Sequence, residues 1–214
     1  PGVGLGGVLD PGRRRQTRRG ALAARRDIAR GDFLKRFAER CGVHDTPRAA
    51  ACEAAVQRMH AWGLERVRIA WCDLHGVQRG KTLMPDAAAE ALHDGVGMVS
   101  TILLKDTSDR TAYKVFEPGA LDELPGFGLA NNLMLLPDPD SLRVLPWASG
   151  TGWMRAQAWF TDGTPVQVDA RRVLQAALAK LAAAGFGLRC GLEVEFHIHR
   201  ILDAGLDPLL ADWP

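Results

Sequence analysis

Val67-Arg-Ile-Ala-Trp71, then Cys72-Asp-Leu-His-Gly76, then Val77-Gln-Arg-Gly-Lys-Thr-Leu83 is the stretch that decides the fold. In its first part Val67, Ile69 and Trp71 alternate with Arg68 and Ala70. That is the period-two pattern of a strand with one face buried. Asp73-Leu-His75-Gly76 reads as a turn. Asp bonds the backbone ahead of it, and Gly adopts the left-handed angles a reversal needs. Val77 to Leu83 reads as the return strand of a hairpin. Turn chemistry accounts for Asp73 and His75 without a catalytic role. Arg79 and Lys81 read as surface or subunit-contact charges.

Working outward from the hairpin, Thr46 caps a helix and Pro47 suits its first position. Ala51, Ala55, Val56 and Met59 recur near helical spacing, and Gly63 ends the run. Pro85 opens a short helix over 86–92, stopped by Gly95. Residues 95–131 are punctuated by Gly, Pro and Asp and read as loop. Asn132 to Leu136 is a buried-strand candidate ended by Pro137-Asp138, and Leu142 to Leu145 another ended by Pro146. Gly152 to Phe160 is a longer strand, closed by the turn Asp162-Gly163. Asp169 then caps a helix with Val173, Leu174, Ala177, Leu178 and Leu181 on its apolar face, and Gly185 at its end.

The last patterned stretch is Gly191-Leu-Glu-Val-Glu-Phe-His-Ile-His199. As a strand it puts Glu193, Glu195, His197 and His199 on one face. Leu192, Val194, Phe196 and Ile198 then face a core. Two carboxylates about 7 Å apart along a strand can each hold a divalent cation beside a phosphate. The two histidines read as polar barrel-face or surface residues rather than ligands. Cys190 reads as a small buried residue.

The composition is that of a soluble globular protein, with 47% hydrophobic and 24% charged residues. No apolar run is long enough to cross a bilayer. The net charge of +2 hides an asymmetry: residues 1–40 carry a net of +7 and the remainder a net of −5. A mildly acidic folded part argues against nucleic acid as its partner. Cys41, Cys52, Cys72 and Cys190 offer no Cys-x-x-Cys spacing, so neither a zinc knuckle nor a dithiol motif is implied. Reduced cysteines in a cytoplasmic protein are the simplest reading.

Residues 1–45 read as a basic, disordered arm, with eight arginines between Arg13 and Arg30. Such a segment suits a nucleic-acid arm, an Arg-rich transit peptide, or a non-native extension upstream of a gene fragment. The last is favoured, because nothing else in the chain looks organellar or nucleic-acid-directed.

From about Val67 onward the chain resembles the glutamine synthetase family. The hairpin from Asp73 to Lys81 resembles the opening of that family's N-terminal β-grasp domain. Asn132-Leu-Met-Leu-Leu-Pro-Asp138 is similar to a later strand of the same domain. Asp162-Gly-Thr-Pro165, the helix from Arg171 and Gly191-Leu-Glu-Val-Glu-Phe196 follow in the family's order and spacing. Leu145-Pro-Trp147 and Gly150-Thr-Gly152-Trp153 lean toward the divergent branch that includes γ-glutamylpolyamine synthetases. The resemblance implies an α+β architecture: a β-grasp domain with a leading helix over 46–165, then the truncated start of an α/β catalytic domain over 166–214.

It also implies the chemistry. ATP phosphorylates the γ-carboxylate of glutamate, and ammonia, or an amine in the divergent branch, displaces the phosphate. Negative charge gathers at one phosphoryl group, which calls for Mg²⁺ or Mn²⁺. Matched by position, Glu193 binds the metal on the ATP side and Glu195 the metal on the glutamate side. The loop Val99 to Asp109 matches the one that family members lend to a neighbouring subunit's active site. Its aspartate, here Asp106 with Asp109 as the alternative, binds the nucleophile and takes its proton. The loop departs from the common family form, which leaves the nucleophile open. A homo-oligomeric ring is implied, with glutamate, ATP and an amine as partners. Most other site residues of the family have no counterpart in this chain, so it is expected to lack synthetase activity alone. Strand edges at 152–160 and 188–199 are expected to be open and to favour aggregation. A truncated paralogue acting only in assembly is the non-catalytic alternative.

Overall fold

The computed structural model describes residues 35–124, 126–127 and 131–200. The reading of residues 13–30 as an arginine-rich arm lies outside the described residues. The chain divides into two units, Pro1–Ala176 and Ala177–Pro214.

In the first unit six strands are described: β1 (Arg66–Cys72), β2 (Gln78–Leu83), β3 (Val96–Val99), β4 (Asn132–Pro137), β5 (Arg143–Val144) and β6 (Thr151–Phe160). They join in the order β2-β1-β6-β4-β3, with β5 also paired to β6. The hairpin forms as its sequence requires. β1 and β2 pair antiparallel from Val67↔Leu83 to Cys72↔Gln78, and Gly76 turns the chain at φ +79°. Gly80 lies against the carbonyl of Ile69, where a Cβ would collide with backbone.

β1 and β6 run parallel, from Arg66↔Thr151 to Ala70↔Arg155. β4 and β5 pair antiparallel with β6. The open edge expected along 152–160 is therefore corrected: β6 lies inside the sheet. A parallel partner some eighty residues upstream leaves no local trace, because parallel strands need long connections.

Two helices cover one face of this sheet. α2 (Thr46–Ala61) contributes Cys52, Ala55 and Met59, and α3 (Pro85–Asp94) contributes Ala88 and Leu92. They pack on Val67, Ile69 and Trp71 of β1 and on Met154, Ala156 and Ala158 of β6. The α2 cap is Asp45 rather than Thr46, its side chain accepting from the Arg48 N–H at 2.8 Å. A one-residue displacement is ordinary where Asp and Thr stand together, since both accept from the first-turn N–H groups. Gly95 closes α3 at φ +69°.

Three features were not read from the sequence. Val96–Val99 is a strand, and Ser100–Leu104 a 3₁₀ turn that buries Leu103 and Leu104. Upstream, α1 (Phe37–Arg40) buries Phe37 and Ala38 against Leu136 and Trp159. Residues 35–40 thus pack with the sheet rather than with a basic arm, because one aromatic anchor outweighs the surrounding charge.

α4 (Ala170–Ala183) spans the division between the units. Asp169 caps it, its Oδ1 accepting from the N–H groups of Arg171 (3.0 Å) and Arg172 (3.2 Å). Its Oδ2 accepts from the Ala158 N–H at 2.9 Å, tying the helix start to β6. Val173 and Leu174 stay more than half exposed, although both belong to the apolar face. In the second unit residues 186–200 have no regular secondary structure. The expected strand over 188–199 is thus not formed. A strand needs a ladder partner, and the described residues of this unit supply none. Among the described residues no helix is long and apolar enough to cross a membrane.

Candidate functional site

The loop that follows β3 is fixed to the hairpin turn by a short chain of charges. Asp73, 2% exposed, stands at its base. Its Oδ1 accepts from the N–H groups of His75 (2.9 Å) and Val77 (3.0 Å), and its Oδ2 from Arg79 Nε (2.9 Å). Burial disfavours the charge of Asp73, but the Arg79 and backbone hydrogen bonds outweigh it and hold the carboxyl below its usual range. Arg79 reaches onward, Nη2 donating to Asp109 Oδ1 at 2.9 Å. Lys105 Nζ donates to Asp109 Oδ2 at 2.8 Å. His75 Nε2–H donates to the Lys105 carbonyl at 2.9 Å, a second tie between turn and loop.

Asp106 and Asp109 thus have different situations. Asp106 Oδ1 accepts from the N–H groups of Ser108 (2.9 Å) and Arg110 (3.0 Å), which closes the loop into a tight turn. Its Oδ2 makes no hydrogen bond among the described residues. Asp109 sits at φ +61°, a conformation Asp tolerates better than most residues. Hydrogen bonds from Lys105 and Arg79 lower its pKa, with the Lys105 contact the largest cause. A carboxylate clamped by two cations is a poor base. Asp106 keeps the freer oxygen.

Arg79 is the residue whose role the sequence did not reveal. Its position on β2 opposite Trp71 suggests only a surface charge, and the partner Asp109 lies 30 residues away. The only local signal is Asp73 six residues earlier, within reach once the hairpin closes.

Glu193 and Glu195 are exposed, as are His197 and His199. The two imidazole rings are 6.0 Å apart, as side chains on one side of an extended segment would be. Leu192 (90%) and Ile198 (88%) are solvent-exposed rather than buried in the expected core. Cys190, expected to be buried, is exposed as well. Carboxylate oxygens suit a hard divalent cation, but two glutamates leave most of its shell to water or phosphate. Among the described residues no group of three or more His, Cys, Asp or Glu is gathered to hold a metal.

No family model matches the chain. It is 29% identical over 161 residues to gamma-glutamylanilide synthase from Acinetobacter sp, covering 74% of this chain and 32% of that protein. Identity to gamma-glutamylethanolamide synthetase GlnA4 of Streptomyces coelicolor is 29% over 150 residues, 68% of this chain and 31% of the relative. A glutamine synthetase of Rhizobium leguminosarum bv. phaseoli is 28% identical over 130 residues, 61% and 25% of the two chains. Among solved structures, a GmaS/ADP complex superposes with a TM-score of 0.47 at 27% identity, covering 60% of this chain and 25% of that one.

The chain is thus a mixed helix-and-sheet protein related, at modest identity, to the glutamine synthetase family. Its relatives are glutamine synthetase-like ligases, γ-glutamyl amide synthetases among them. The chain spans a quarter to a third of the length of these relatives.

Proposed function

We propose that this chain is the N-terminal part of an ATP- and divalent-metal-dependent ligase that joins the γ-carboxylate of glutamate to an amine. The observation that carries the reading is the 29% identity over 161 residues to a gamma-glutamylanilide synthase. A second relative, a gamma-glutamylethanolamide synthetase, favours an amine other than ammonia as the acceptor. Glutamine formation from ammonia is the parent form of the same chemistry.

A β-grasp domain belongs to this reading, and the sheet topology supports it. Strand β1, which opens the sheet in sequence, runs parallel to its last strand β6, and antiparallel pairs flank both. Asp106 Oδ2 is the atom on this chain that would take the proton from the incoming amine. The Asp73–Arg79–Asp109 chain would hold that loop in place before substrate arrives, which lowers the ordering cost at reaction. Glu193 and Glu195 would hold Mg²⁺ or Mn²⁺, and the bound ions would neutralise charge at the transferred phosphoryl group. A ring in which this loop serves a neighbouring subunit belongs to the same proposal.

The test uses the protein as its source cells make it. Incubated with glutamate, ATP and Mg²⁺, it should release ADP with aniline, ethanolamine or ammonia, and mass spectrometry should find the matching γ-glutamyl amide. Glu195→Gln should abolish the product. ADP release without any γ-glutamyl product would sink the proposal. The 214-residue chain alone should be silent in the same assay.

A further inference from the structure

The sheet face turned away from α2 and α3 carries a feature that the ligase reading does not use. Register places Thr82, Arg68, Trp153 and Arg143 in one row across β2, β1, β6 and β5. Paired residues share a face, so Trp153 stands in the row between two arginines. Arg68 and Arg143 are separated by two strand spacings, about 10 Å. The row lines a cavity of about 500 Å³, with Lys81 and Trp147 also at its wall. Trp147 is 77% exposed.

The charges of this row are not neutralised as they are elsewhere in the sheet. Arg155 pairs with Asp138 and Arg66 with Glu65, and of the cations at the cavity wall Arg79 is paired with Asp73 and Asp109. Arg68 and Lys81 have no hydrogen bond or ion pair among the described residues. Among the described residues Arg143 has only the Ser141 carbonyl, at 3.4 Å. Among the described residues no carboxylate lines the cavity. Arg68 and Arg143 are two like charges on one face of one depression, and an anion placed between them removes their repulsion. Guanidinium groups bind phosphate or carboxylate through paired N–H donors. Exposed indole faces stack on planar rings. A volume of about 500 Å³ lies within the roughly 300–1,000 Å³ range of small-molecule sites.

We propose that this cavity binds a small organic anion: a planar aromatic ring bearing a phosphate or carboxylate. The anionic group is shared by Arg68 and Arg143, and the ring stacks on Trp153 and Trp147. None of Arg68, Arg143, Trp147 and Trp153 belongs to the ligase machinery; Arg79, also at the wall, is held by Asp73 and Asp109.

The test is a titration of the full chain, read by tryptophan fluorescence and calorimetry. Phenyl phosphate and benzoate are the two arms, and the tighter one identifies the anionic group. Cyclohexyl phosphate and inorganic phosphate are the controls. An aromatic probe should bind at least about tenfold more tightly than either control, the difference that stacking supplies. The double variant Arg68→Gln/Arg143→Gln should weaken it by at least about tenfold, since both charge-assisted contacts go. Both side chains are exposed, so thermal melting should stay as in the parent. Trp153→Leu should remove the preference for the aromatic ring while leaving weak phosphate binding. The proposal is overturned if neither aromatic probe binds, if the double variant binds as the parent does, or if inorganic phosphate binds as tightly as phenyl phosphate. The ligase assay is independent of all three outcomes.

Discussion

β1 and the segment Leu192–Ile198 carry the same alternating pattern, yet they differ completely in outcome. Val67, Ile69 and Trp71 are 0–4% exposed, whereas Leu192, Val194, Phe196 and Ile198 are 65–90% exposed. The alternation is stricter in the second segment, since β1 also buries Ala70 on its polar face. What separates them is company. β1 has β2 on one side, β6 on the other and α2 above it. A period-two pattern states which face a strand would bury and says nothing about what is there to cover it.

Truncation at both places breaks the comparison most directly. Ile69→Ala should destabilise the chain by about 2–5 kcal/mol, because the side chain is fully buried between sheet and helix. Phe196→Ala should change stability by no more than about 0.5 kcal/mol in this chain. Urea unfolding followed by far-ultraviolet circular dichroism measures both. A large loss at Phe196 would mean that the segment is packed in solution, and the contrast with β1 would fall.

Within the first unit the comparison extends to two aspartates of one charge chain, one buried and one exposed. Asp73→Ala should cost about 1–3 kcal/mol, since it strands Arg79 and two backbone donors. The pH dependence follows from the depressed folded pKa. The folded state binds its proton less readily than the unfolded state does, so the charge of Asp73 stabilises at neutral pH. That contribution is complete above the ordinary value of 3.8 and is lost as the pH falls below it, through the folded value. The stability gap between parent and Asp73→Asn should therefore be level at neutral pH and close only in strong acid. A gap that closes near neutrality would assign the effect to another group.

Much of this was legible from residues alone. The hairpin, α2, α3, β4, β6 and the Asp169 cap each follow from local periodicity and turn chemistry. β3 was not, because Gly95 and Gly97 punctuate a strand of four residues and make it look like loop. α1 was not, because Phe37 stands among arginines and lysine that suggest a disordered arm. The parallel register of β1 and β6 is written in no short window. The candidate site divides the same way. Asp106 and Asp109 could be named from the loop they sit in, but the bond from Arg79 to Asp109 depends on a fold that brings residues 30 positions apart together.

The smallest effect separates geometry from charge at Asp109. Asn tolerates the φ of +61° as well as Asp does, so Asp109→Asn keeps the turn and removes only the charge held by Lys105 and Arg79. Its carboxylate is half exposed, and such ion pairs add little to stability in salt. The melting temperature should therefore shift less than for Asp73→Asn, and 0.5 M NaCl should erase most of the shift. Hydrogen exchange is the sharper readout. The Asp106 N–H, bonded to the Arg110 carbonyl, should exchange faster in Asp109→Asn if the charge chain holds the loop closed. Unchanged exchange there would leave the loop held by the Asp106 turn alone, and Arg79 would then be a fixture of the hairpin rather than a link between two regions.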